Sequence, residues 1–113
     1  MKEINLFIRP EKLETVKTIL VDDYSCGGMT VLNSMGCGNQ KGFTDEYRGT
    51  RTNVNLLPKL KVEVIVDDKD VEPIVTDICS KIATGIVGDG KIIIKNVEDV
   101  IRIRTQERGT GAI

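Results

Sequence analysis

The chain has 113 residues, 40% hydrophobic and 29% charged, which leaves room for one soluble domain with a single modest core. Sixteen basic residues against seventeen acidic give a net charge of −1. A global positive field of the nucleic-acid-binding kind is excluded, so any anion site must be local. The absence of histidine removes the commonest general base near neutral pH and every Ser-His or Cys-His dyad, which counts against hydrolytic catalysis.

Residues 3–9 alternate, with Ile4, Leu6 and Ile8 on one face and Glu3, Asn5, Phe7 and Arg9 on the other, which predicts a strand. Pro10 stops it and suits the first turn of a helix. Leu13, Val16, Ile19 and Leu20 follow at helical spacing. Gly27-Gly28 ends this unit, and residues 29–35 read as a second strand of weaker alternation. From Gly36 to Leu56 the chain is polar and glycine-rich without a usable period, and it reads as a long loop between two strands. Such loops are uncommon inside compact domains and are often functional.

After Pro58 the alternation returns, with Leu60, Val62, Val64 and Val66 inward and Lys59, Lys61 and Glu63 outward. Val71, Ile74, Val75, Ile78 and Ile82 then predict a helix, with Asp70 as its N-cap and Pro73 in its first turn. A glycine-rich turn, Gly85 to Gly90, leads into a short strand from Lys91 to Lys95. A further extended run covers Val100 to Thr105. The order β-α-β, long loop, β-α-β predicts an α+β fold, a ferredoxin-like split βαβ sandwich, which by itself decides nothing about function.

Cys26, Cys37 and Cys79 are odd in number, far apart and never in a Cys-x-x-Cys pair, so reduced thiols of a cytoplasmic protein are expected. The opening residues hold no signal-peptide core, and no apolar run approaches the ~20 residues that span a bilayer. Work at a membrane would require docking on something already there, without direct insertion.

Three segments could carry chemistry. Gly85 to Lys91 satisfies Gly-x4-Gly-Lys, but Ile92 stands where a P-loop needs Ser or Thr. The segment also runs from helix to strand, the reverse of a P-loop, so a Walker motif is rejected. What survives is a set of glycines that let backbone N–H groups approach an anion, with Lys91 as a point charge. Strand alternation in Val100 to Thr105 would put Arg102 and Arg104 on one face, about 6.5–7 Å apart, well placed to share phosphate oxygens. The long loop holds Gln40, Lys41, Tyr47, Arg48 and Arg51, a composition that fits a binding hot spot and a solvated polar excursion about equally.

Taken together, these segments resemble the P-II nitrogen regulatory family over essentially the whole chain, residues 1–113, as one domain. The resemblance is carried by Gly36-x-Gly38-x-Gln40-Lys41-Gly42, Glu46-Tyr47-Arg48-Gly49, Leu57-Pro58-Lys59, Thr84-Gly85 with Gly88-Asp89-Gly90-Lys91, and Val100-Ile101-Arg102-Ile103-Arg104-Thr105. It implies a homotrimer with a projecting T-loop (about 37–55), a B-loop (about 83–91) and a C-terminal strand and tail (about 97–113). Nucleotide, ATP or ADP, would lie in clefts between subunits. Its contacts would come from Thr30, Gly38, Asn39, Gln40, Glu63, Ile65, Gly88, Asp89, Gly90, Lys91, Arg102 and Arg104, with the adenine near Thr30, Glu63 and Ile65. Gln40 would ligate Mg2+ beside the phosphates. Gly38, Gln40, Lys41 and Gly42 would hold 2-oxoglutarate, with Lys59 on its distal carboxylate.

The same resemblance implies a signalling adaptor, not an enzyme. Its T-loop, through Tyr47, Arg48 and Arg51, would dock on and block an ammonium transporter, Arg48 entering the pore. Alternatives are regulation of a nitrogen-metabolism enzyme, such as nitrogenase or an amino-acid biosynthetic kinase, and nucleotide hydrolysis. Four departures stand out. Thr52 occupies the position of the loop tyrosine that many bacterial members uridylylate, and Tyr47 matches a different family tyrosine. Thr50 matches a serine phosphorylated in some members. Asn39 replaces a common arginine and Ile86 a common lysine, changes that point to weaker nucleotide affinity or a shifted ATP/ADP preference.

Overall fold

The computed structural model describes residues 1–37 and 56–113, together with the backbone of 44–47 and 50–54. Strand β1 (Lys2–Ile8) buries Ile4, Leu6 and Ile8, as its alternation requires. Pro10 opens a short 3-10 turn, Pro10–Lys12, where a missing N–H costs nothing. Helix α1 (Leu13–Lys17) continues as a wider, π-type stretch over Thr18–Asp23 and buries Val16, Ile19 and Leu20. Strand β2 (Met29–Gly36) follows. A two-stranded ribbon, β3 (Thr44–Tyr47) with β4 (Thr50–Val54), comes next.

Strand β5 (Leu57–Val66) buries Leu60, Val62, Val64 and Val66 and turns the half-buried residues between them to the opposite side. Helix α2 (Val71–Ile82) buries Val71, Ile74, Ile78 and Ile82 along one stripe. Strand β6 (Lys91–Asn96) completes the main sheet, whose order is β2-β5-β1-β6. Every neighbouring pair is antiparallel, with Ile4 opposite both Val64 and Ile94, Thr30 opposite Glu63, and Ser34 opposite Lys59. The two β-α-β units interleave, so β5 and β1 lie in the centre. This is the expected split βαβ sandwich.

Both helices pack on one face, where Ile4, Leu6, Val62 and Val64 meet Val16, Leu20, Ile74 and Ile78 in a single core. Among the described residues the other face carries no helix. Its central residue, Asn5, is nevertheless 1% exposed, and its Oδ1 finds no hydrogen-bond partner among the described residues.

Three expectations change. The stretch from Gly36 to Leu56 is not wholly irregular, because it contains the β3–β4 ribbon. The run Val100 to Thr105 is not a strand. Only Ile101 bridges, to Arg108, and the chain reverses between them, with Gln106 N–H donating to Arg102 O at 2.7 Å and Arg102 N–H to Glu107 O at 2.9 Å. Asp70 stands at the N-cap position of α2 without a side-chain cap bond, because the 3-10 turn Asp68–Asp70 already gives it helical dihedrals (φ −92°, ψ −10°).

Candidate functional site

Two grooves open at the helix-free side of the sheet, one toward each end of β5. The first, about 380 Å³, is lined by Glu3, Thr30, Glu63 and Ile65 from three neighbouring strands, and by Arg102 and Ile113 from the C-terminal segment. Cross-strand register puts Thr30 beside Glu63, so a hydroxyl, a carboxylate and the aliphatic Ile65 share one small area. An apolar surface edged by an acceptor and a hydroxyl suits a flat amino-substituted heterocycle. Glu63 pairs with Lys61 at 2.9 Å. Arg102 pairs with Glu107 at 2.9 Å and donates from Nη2 to Gly111 O at 3.2 Å.

The second groove, about 500 Å³, lies at the other end of the sheet. It is lined by Phe7, Ser34, Met35 and Lys59, and by Gly88, Gly90 and Lys91 of the glycine-rich loop. From Lys59 to Ile65 along β5 is six residues, roughly 20 Å in a strand, so the two grooves are separate places.

The loop is held from inside by Asp89. Its carboxylate accepts from the Thr84 hydroxyl, from Thr84 N–H at 2.8 Å and from Gly85 N–H at 3.0 Å. These bonds, the Thr84 hydroxyl first and the nearby Arg9 after them, hold the Asp89 carboxyl far below its usual range, at about 2. From outside, Arg9 Nη1 reaches Asp89 Oδ1 at 2.9 Å and Arg9 Nη2 donates to Val87 O at 3.1 Å. Lys59 Nζ donates to Gly88 O at 2.6 Å. Gly90, at φ +107°, passes so close to β1 that a Cβ would lie 1.7 Å from Phe7 O. The result is a shaped loop whose exposed cation is Lys91, with Lys59 beneath it. That arrangement can take an anionic group.

The residues expected to bind nucleotide therefore divide. Thr30, Glu63, Ile65 and Arg102 line the first groove, while Gly88, Gly90 and Lys91 line the second together with Lys59. Asp89 turns its oxygens into its own loop, and shapes it. Arg104 does not share a face with Arg102 as alternation suggested. It is exposed in the turn 103–105, because among the described residues that segment has no partner strand to hold it extended. Gly38, Asn39, Gln40, Lys41, Gly42 and Arg48 lie outside the described residues, and Tyr47 and Arg51 are placed as backbone in β3 and β4.

Sequence reasoning missed Phe7 as part of the second groove and Arg9 as the tie that holds the glycine-rich loop. The available signal was the position of Arg9 directly after β1, where strand periodicity points it to the same side as Phe7. The three cysteines are free, with Cys37 at the rim of the second groove. Among the described residues no helix is long and apolar enough to cross a membrane.

A family model described as Nitrogen regulatory protein P-II matches residues 1–107. A "Nitrogen regulatory protein P-II 2" of Methanothermobacter thermautotrophicus is 50% identical over 113 residues, covering 100% of this chain and 97% of that protein. Proteins named "Nitrogen regulatory protein P-II" from Nostoc punctiforme and Rhizobium meliloti are 50% and 47% identical, each covering 100% of both chains. Proteins of this family are regulatory signal transducers, not enzymes. With a family model matching residues 1–107 and relatives about 50% identical over all 113 residues, the chain belongs to the nitrogen regulatory protein P-II family.

Proposed function

We propose that this chain senses adenine nucleotides as a homotrimer. The glycine-rich loop of one subunit holds the phosphates of ATP or ADP, and the first groove of the next subunit takes the base. The observation that carries this is the division of the site into two separate grooves. Gly88, Gly90, Lys91 and Lys59 supply donors and charge for an anion without the Thr30–Glu63–Ile65 surface, which stands roughly 20 Å away on the same chain.

In this reading Gln40 ligates Mg2+ beside the phosphates, and 2-oxoglutarate is held by Gly38, Gln40, Lys41 and Gly42 with Lys59 on its far carboxylate. Metal, carboxylate and phosphate offset one another's charge only together, so the keto acid binds after nucleotide. Occupancy biases the T-loop between states of different partner affinity, a population shift that needs no chemistry. The partner is an ammonium transporter, met by Tyr47, Arg48 and Arg51. Calorimetric titration with magnesium-ATP, ADP and then 2-oxoglutarate tests the sensor. ATP binding followed by ATP-dependent keto-acid binding is expected. Nucleotide binding without any keto-acid response removes the roles given to Gln40 and Lys59, and no nucleotide binding ends the reading.

A further inference from the structure

We propose that Arg9 is a positioning residue for the anion-binding loop, and that it acts by cancelling the charge of Asp89 as much as by fixing the loop's shape. The inference rests on the nucleotide reading above and adds to it a residue outside the loop. A carboxylate inside a loop built to take an anion is a contradiction unless it is neutralised. Asp89 is indispensable as an acceptor, because the Thr84 hydroxyl and the Thr84 and Gly85 N–H groups all converge on it. Its charge is the cost of that organisation.

Arg9 resolves the conflict from the end of β1. Its backbone is extended (φ −66°, ψ 143°) and Pro10 follows it, which limits the conformations open to that stretch. The side chain is only 24% exposed and Asp89 25%, so the 2.9 Å pair is sheltered from full solvent screening. The second arm of the planar fork donates to Val87 O at 3.1 Å, so one rigid group bonds the loop at two points. With Arg9 in place, Asp89 and Arg9 sum to zero and the loop presents Lys91 and Lys59 as net positive charge. Without it, the carboxylate is left unpaired beside the incoming phosphate, and the 84–89 turn loses its tie to the end of β1.

The test is ATP affinity by calorimetry for the wild-type chain, Arg9→Gln, Arg9→Lys, Asp89→Asn and the double variant Arg9→Gln/Asp89→Asn, each checked for folding by circular dichroism. Arg9→Gln should bind ATP about tenfold or more weakly, the scale of a lost charged hydrogen-bonding partner. Arg9→Lys should recover part of that loss by restoring the charge. The double variant should bind more tightly than Arg9→Gln alone, because the unpaired carboxylate is gone while Asn keeps one acceptor oxygen. A purely architectural role predicts the opposite, with the double variant weaker than either single one, and that result overturns the proposal. Unchanged affinity in folded Arg9→Gln, or an Arg9→Lys chain that binds no better than Arg9→Gln, also overturns it while leaving the nucleotide reading intact. Absence of ATP binding by the wild-type chain overturns both.

Discussion

Gly90 shows how little latitude a single position in the loop has. At φ +107° an L side chain is already strained, and the space a Cβ needs is occupied by the Phe7 carbonyl oxygen at 1.7 Å and carbon at 2.9 Å. Neither atom can yield, since Phe7 is paired to both β5 and β6. Gly85, at φ +78°, has nothing within 4 Å of its would-be Cβ. Gly90→Ala should therefore cost about 3 kcal/mol or more, with the loop pushed off the sheet, against about 1 kcal/mol for Gly85→Ala. Thermal melts of the two variants compare these directly. Equal losses would mean that dihedral strain alone, and not the contact with Phe7, dictates glycine at position 90.

The loop from Thr84 to Lys91 behaves as an element in its own right because Asp89 links its two ends. That carboxyl is lowered from 3.8 to about 2 in the folded chain, so the folded state holds the ionised form more tightly than the unfolded state does. The contribution is fully present above about pH 4 and is lost as pH falls toward 2, where folded Asp89 takes up its proton. Melting temperatures followed from roughly pH 5 downward should fall more steeply for the wild-type chain than for Asp89→Asn. Parallel curves would show that the carboxylate's bonds in the loop are not coupled to folding.

Elements differed in how readily the sequence disclosed them. Strands β1 and β5 and helix α2 were legible because each buries one clean face against the same core, so period two or 3.6 is written in Ile, Leu and Val. The β3–β4 ribbon was not. Its residues, from Thr44 to Val54, include few large apolar side chains, and pairing between two strands alone needs no core-facing pattern. The reverse error came at Val100 to Thr105, where alternation is real but Ile101 and Ile103 are 49% and 95% exposed. Alternation marks a strand only where a neighbouring strand is there to pair with it. The site was legible in pieces for the same reason. Gly88, Gly90 and Lys91 announce an anion loop locally, whereas the tie from Arg9 spans 80 positions of sequence and has no local signature.

At the scale of the molecule, one chain looks incomplete. The helix side of the sheet is closed by α1 and α2, and the other side holds both grooves. The sheet edges carry Val31, Leu32, Ile93 and Ile94 at 39–43% exposure. Closed cyclic assembly would cover such surfaces heterologously, one groove of each chain facing the other groove of the next. This arrangement makes a sharp prediction. Lys91→Gln damages the second groove and leaves the first intact, whereas Arg102→Gln does the converse, so each variant alone should bind ATP weakly. Co-refolding equal amounts of the two chains should restore tight sites, because random assortment joins two intact halves at about one interface in four. Titrating the mixture counts those sites. A mixture that binds no better than either variant alone would mean that the two grooves are not the halves of one site shared between chains.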